Sequence, residues 1–170
     1  MKDDLSAIAL AKAATAYQVP VVLSTVGVDL GVNQPTEPAI SAELPGVSEI
    51  DRTGVNAWED AEFRQAIEDT GRQKVVIAGL WTEVCLTFPT IDMLSEGYAV
   101  YPVIDAVGGI STTSHEMGIQ RMVSAGASPV TAISFAGELM RNWARPESDR
   151  LRTIMGWYFP RKAKLDTAGQ

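Results

Sequence analysis

Soft metal ligands are nearly missing from this chain: 170 residues contain one cysteine and one histidine. A lone cysteine excludes an internal disulfide, and the pair is too small for a typical zinc cage, so neither metal nor cofactor is expected. Basic residues are also scarce, with 14 lysines and arginines against 21 aspartates and glutamates and a net charge of −7. That balance argues against a nucleic-acid partner, which needs a basic footprint to displace counterions from phosphates. No apolar run approaches the roughly 20 residues needed to span a bilayer. The opening Met1-Lys2-Asp3-Asp4 lacks the apolar core of a secretion signal. Gly-x-Gly-x-x-Gly and Walker loops are absent, which demotes nucleotide binding. The expectation is an acidic cytoplasmic domain that acts on a small molecule and contacts neither membrane nor nucleic acid.

What is present organises itself by alternation. Hydrophobic residues make up 46% and charged residues 21%, which rules out disorder for the bulk of the chain. Leu5, Ile8, Ala9, Ala13, Ala16 and Tyr17 recur at helical spacing over 5–17. The segments 19–26, 74–79, 98–104 and 130–134 read as buried strands. Between them lie predicted helices at about 56–71, 83–96, 113–126 and 137–144. Asn56 with Glu59, and Thr113 with Glu116, have the spacing of capping pairs. The Pro- and Gly-containing stretch from Gly27 to Val55 reads as a long loop. Continuous apolar strands separated by capped helices predict an α/β fold, a parallel sheet covered on both faces. Ligands of such sheets bind beyond the carboxyl ends of the strands. One domain is expected over 1–145, with a C-terminal extension at 146–170. Its Trp157-Tyr158-Phe159 trio reads as an anchor onto this subunit or a neighbour, in keeping with a homo-oligomer.

Cys85 carries the most chemical information. It follows the strand ending at Gly79, in Gly79-Leu-Trp-Thr-Glu-Val-Cys85, at the first turn of the next helix. The positive end of a helix dipole favours thiolate over thiol, and unpaired N–H groups of a first turn can receive an oxyanion. Pro89 cannot donate the helical hydrogen bond to the carbonyl of Cys85, so the helix is predicted to loosen beside the sulfur. On position alone, a small buried core cysteine remains the competing reading.

The run Val75-Val-Ile-Ala-Gly-Leu-Trp-Thr-Glu-Val-Cys-Leu-Thr-Phe-Pro89, followed by Glu96-Gly-Tyr98 and Val103-Ile-Asp-Ala106, resembles the isochorismatase-like cysteine hydrolase superfamily. Arg52-Thr-Gly-Val-Asn-Ala-Trp58 makes it similar to the YcaC-like branch, and the likeness extends over about 5–145. The resemblance implies a three-layer αβα Rossmann-like parallel sheet and hydrolysis of a small amide or related C–N compound through a thioester. It makes Cys85 the nucleophile and places Arg52 at the lysine position of the family's Asp–Lys–Cys triad. It also implies a cis peptide at Leu80–Trp81, with Leu80, Trp81 and Thr82 around the oxyanion and substrate. Nicotinamidases of the superfamily bind a metal through an Asp-x-His pattern that this chain lacks.

The likeness implies one feature that the residues do not supply. The family's aspartate base ends a first, central strand upstream of the helix at 5–17, and no apolar strand precedes Leu5. Asp3 and Asp4 stand too early to replace it. The expectation is therefore a sheet without that strand and impaired catalysis, explained first by a start that is late relative to the family, otherwise by another segment that fills the gap or by a non-catalytic derivative. The alternative is an inactive oligomeric domain of the same fold.

Other candidates are weaker. A guanidinium at Arg52 stabilises a thiolate but cannot act as a base; pairing with Asp51 or a surface carboxylate is its bland alternative. His115 would suit a Cys–His enzyme, but nothing in the sequence places it near Cys85, and hydrogen bonding at a helix start serves equally well. Asp105 can meet a ligand at a strand end or cap the loop before Gly108-Gly109. Glu83 favours a helix N-terminus, and as a like charge it would oppose a neighbouring thiolate.

Overall fold

The computed structural model describes residues 2–168, so Met1 of the expected domain and the last two residues of the expected extension lie outside the described residues. In chain order the elements are α1 (Lys2–Ala16), β1 (Leu23–Val26), α2 (Pro38–Ser41), β2 (Glu49–Arg52), α3 (Ala61–Asp69), β3 (Lys74–Leu80), α4 (Thr87–Ser95), β4 (Ala99–Gly108), α5 (Thr112–Ser124), α6 (Ala132–Met140) and α7 (Ser148–Ala168). A 3₁₀ turn at Ala57–Glu59 precedes α3, and a π turn at Thr82–Leu86 joins β3 to α4. Among the described residues the strands form two parallel pairs, β1 with β2 and β3 with β4. Parallel pairing requires a crossover, and here every crossover carries helix.

Alternation along the central strands sorts the core into layers. Val76 and Ala78 of β3, with Val103 and Ala106 of β4, meet α1, α6 and α7 on one face, against Leu5, Ala9, Ala136, Leu151 and Tyr158. Val75 and Ile77, with Val100, turn to the opposite face, where Trp58, Phe63 and Met93 bury. Farther along that second face, Leu86, Val107, Met122 and Ala127 close a third cluster beneath α5. The result is the expected α/β class, with helices on both faces of the β3–β4 pair; the one continuous sheet read from the sequence is instead two separate parallel pairs among the described residues.

Several boundaries differ from the sequence reading. The apolar segment 130–134 is not a strand: Val130 makes a single parallel bridge to Val103, and the chain then turns into α6. The reason is local capping. Thr131 Oγ1 accepts the N–H of Ser134, Ser134 Oγ accepts the N–H of Thr131, and Asp105 accepts the N–H of Ala132. The helix predicted at 137–144 accordingly starts at Ala132 and ends at Met140. Ser111, not Thr113, caps α5, with its hydroxyl accepting from the N–H of Ser114 at 3.1 Å. Asn56 alone caps the 3₁₀ turn, its Oδ1 accepting the N–H of Trp58 while its side-chain amide donates to Glu59, and Asp60 caps α3. The presumed loop over 27–55 contains α2 and β2.

The C-terminal helix α7 packs along α1. Tyr158 is buried there, its hydroxyl 3.1 Å from Ser6 Oγ, and Lys12 and Arg161 both stand over the Trp157 ring. Phe159 faces outward.

Candidate active site

The carboxyl end of β3 is where backbone regularity breaks. Register with β4 runs from Lys74↔Ala99 to Ile77↔Pro102, then shifts, so that Gly79 pairs Val107 and Leu80 pairs Gly108. The peptide between Leu80 and Trp81 is cis. The chain then enters the π turn over Thr82–Leu86, in which Trp81 O accepts from the N–H groups of both Val84 and Leu86. Pro89 has no N–H for the carbonyl of Cys85, and the loosened turn falls where that missing donor predicts.

Cys85 sits inside this turn, a free and partly exposed thiol. Leu80 and Trp81, 58% and 46% exposed, stand at the surface just before it. Thr82 is fully buried. Its hydroxyl lies 2.9 Å from His115 Nδ1, while its carbonyl accepts from the Thr87 hydroxyl at 2.6 Å. Glu83 turns back to the loop after β4, with Oε1 accepting the N–H of Ile110 at 3.0 Å and Oε2 buried without a hydrogen-bond partner among the described residues.

Two glycines allow that loop and α5 to approach so closely. A Cβ on Gly118 would lie 3.0 Å from Glu83 Cα, and one on Gly109 would lie 2.8 Å from the Cβ and N of His115. Beside this contact, Gly108, Gly109, Ser111, Thr112 and His115 line an open cleft of about 250 Å³. Sequence reasoning missed the association of His115 with the cysteine turn. Thirty-three residues separate His115 from Thr82, and the only available signal was a glycine inside a helical pattern, which often marks a close backbone approach.

Arg52 ends β2, in the other strand pair, and its side chain is 6% exposed. Its guanidinium donates to the carbonyl of Gly54, and Nε has no hydrogen-bond partner among the described residues. Asp51 does not hydrogen-bond it. That carboxylate accepts instead from the N–H groups of Val28 and Asp29 and from the Thr25 hydroxyl. The N–H of Asp29 is the largest influence holding the Asp51 carboxyl below its ordinary range. Leu80, Trp81, Thr82 and Cys85 thus form one continuous segment, and among the described residues no hydrogen bond or ion pair joins Arg52 to it. Asp105 is an internal tie: it accepts from the N–H of Ala132 at 2.8 Å and the Ser6 hydroxyl at 3.1 Å.

A parallel α/β domain with a reactive-residue candidate at the strand-to-helix bend defines the class. The chain belongs to the isochorismatase family, whose domain matches residues 5–134. A probable hydrolase, YcaC of Escherichia coli, is 33% identical over 162 residues, covering 95% of this chain and 77% of that protein. A structure of YcaC from Pseudomonas aeruginosa with hexane-2,5-diol and covalent acrylamide superposes with a TM-score of 0.89. It is 33% identical and covers 98% of this chain and 82% of that one. The E. coli YcaC structure, described as an octameric hydrolase of unknown specificity, has a TM-score of 0.88 at 33% identity, over 98% and 81% of the two chains.

Proposed function

We propose that this protein is a cysteine-dependent hydrolase of a small amide or related C–N compound, and that it works as a homo-oligomer. One observation carries the reading: in an isochorismatase-family chain, a partly exposed thiol stands in a π turn at the carboxyl end of a parallel strand. Covalent acrylamide on the P. aeruginosa relative supports it, since acrylamide is an electrophile and Cys85 is the thiol of this chain. The octameric E. coli relative supports the assembly.

In this reading the Cys85 thiolate attacks the substrate carbonyl, forming the C–S bond as the carbonyl electron pair moves to oxygen. The N–H groups of Trp81 and Cys85 receive that oxyanion, with Leu80 and Thr82 shaping the same segment. Collapse expels the nitrogen leaving group with a proton, and water then cleaves the thioester to free the acid and the thiol. Arg52, buried and always charged, favours the anionic sulfur and moves no proton.

Among the described residues no hydrogen bond or ion pair joins Arg52 to the cysteine segment, which favours keeping a second reading, an inactive oligomeric domain of the same fold.

Alkylation separates the two. Because the chain has one cysteine, iodoacetamide reports on Cys85 alone. The hydrolase reading expects labelling near neutral pH well above the rate of an unperturbed thiol, together with loss of all amide and ester turnover in Cys85→Ser. Labelling at the rate of an unperturbed thiol, with no turnover across a panel of small amides and esters, would leave only the inactive domain.

A further inference from the structure

The turn that carries Cys85 cannot hold its shape by helical hydrogen bonding alone. It is a π turn, and its downstream support is interrupted at Pro89. What fixes it comes from α5 and the loop before it. Thr82 Oγ1 meets His115 Nδ1 at 2.9 Å, inside a region where Thr82 is fully buried. The N–H of Ile110 is bound by Glu83, one residue on. Gly118, within α5, allows the helix to rest on the backbone of Glu83 and the methyl of Thr82, where a Cβ would lie 3.0–3.1 Å from those atoms. Three independent contacts thus converge on the two residues that open the turn, all from residues 109–118.

We propose that His115 is a positioning residue for this site, acting on Cys85 through the buried hydroxyl of Thr82. The proposal rests on the reading of Cys85 as nucleophile. His115 touches neither thiol nor substrate; its role is to anchor the start of the turn so that the sulfur and the converging amides keep their geometry. Of the buried residues in the turn, Thr82 alone has a side-chain hydroxyl, and a hydroxyl with no partner in a buried site is costly. The imidazole Nδ1 supplies that partner, whichever of the two atoms donates. Packing alone would require only a ring of similar size at 115, whereas this role requires a hydrogen-bonding atom at the Nδ1 position.

The test uses the full chain and reads the second-order rate of iodoacetamide alkylation, specific to Cys85, beside the thermal midpoint. His115→Phe keeps a ring and removes the hydrogen bond, and it is expected to slow alkylation by up to about a hundredfold, the scale on which a misplaced reacting group acts. His115→Asn, whose amide falls near the Nδ1 position, is expected to restore the rate, and His115→Gln, whose amide reaches farther, is not. Thr82→Val should match His115→Phe, and the double variant should be no slower than either single change, because both break one contact. Wild-type rates in all variants, equal slowing by Phe and Asn, or multiplicative slowing in the double variant would each overturn the proposal. A wild-type thiol that is itself slow would instead overturn the nucleophile reading, and this proposal with it. If His115→Phe does not fold, the Asn, Gln and Val variants decide the matter.

Discussion

Single glycines show how closely the cysteine turn is seated. Gly118 and Gly137 both lie inside helices, yet their surroundings are opposite. A methyl on Gly118 would press on Glu83 Cα at 3.0 Å and Glu83 N at 3.1 Å, backbone atoms that cannot rotate away. Gly118→Ala is therefore expected to destabilise the fold by about 1–3 kcal/mol and to slow Cys85 alkylation, because the displaced residue opens the turn. Apart from its own helix backbone, no described residue lies within 4 Å of a methyl on Gly137, so Gly137→Ala should gain about 0.5–1 kcal/mol from helix propensity and a less flexible unfolded chain. Urea unfolding of the two variants checks both signs; a destabilised Gly137→Ala or a neutral Gly118→Ala would contradict the packing described. At this scale the cysteine and the loosening effect of Pro89 were legible because both act within one turn of chain. The Thr82–His115 contact was not, since only tertiary packing brings those residues together.

Among the elements, the sequence signals that failed were those in which a side chain overrode an apolar pattern. Val130-Thr-Ala-Ile-Ser134 reads as strand by β-branching, yet Thr131 and Ser134 cap each other and Asp105 holds the N–H of Ala132. The capping box was visible as a Thr followed three residues later by Ser; the Asp105 contact, 27 residues away, was not. By contrast β3 and β4 were legible, being apolar runs bounded by turn signals, and the α/β class followed from them. Asp105 links β4 to α1 and α6, so Asp105→Ala takes the acceptor from the N–H of Ala132 and leaves the Ser6 hydroxyl to Tyr158 alone. That change is expected to cost about 1–3 kcal/mol, while Thr131→Ala, losing one cap, should cost about 1 kcal/mol. Chemical denaturation followed by circular dichroism measures both. Equal and negligible losses would mean that α6 is held by packing alone.

For the whole molecule, the carboxylates that stitch separate regions together set the response to acid. Glu96 accepts from Trp58 Nε1 at 2.9 Å and from Arg64, and the Trp58 contact is the first cause holding its carboxyl below the ordinary range. Asp51 is held low chiefly by the N–H of Asp29, and it fastens the segment after β1 to β2. In each case the folded state releases its proton more readily than the unfolded chain does. The unfolded chain therefore binds more protons as the medium becomes acidic, and stability falls with pH. The contribution is fully present above the ordinary carboxylate range and disappears as pH drops through it to the lowered folded values. The raised Lys162, paired first with Asp166, acts at the opposite end: its contribution persists below the ordinary lysine range and fades only as pH climbs past it. Neutral pH lies between these limits. The urea midpoint is thus expected to stay flat around neutrality and to fall from about pH 5 downward. Asp51→Asn combined with Glu96→Gln should lower the neutral plateau and flatten the acid limb. A limb as steep as wild type in that double variant would show that other carboxylates govern the acid response.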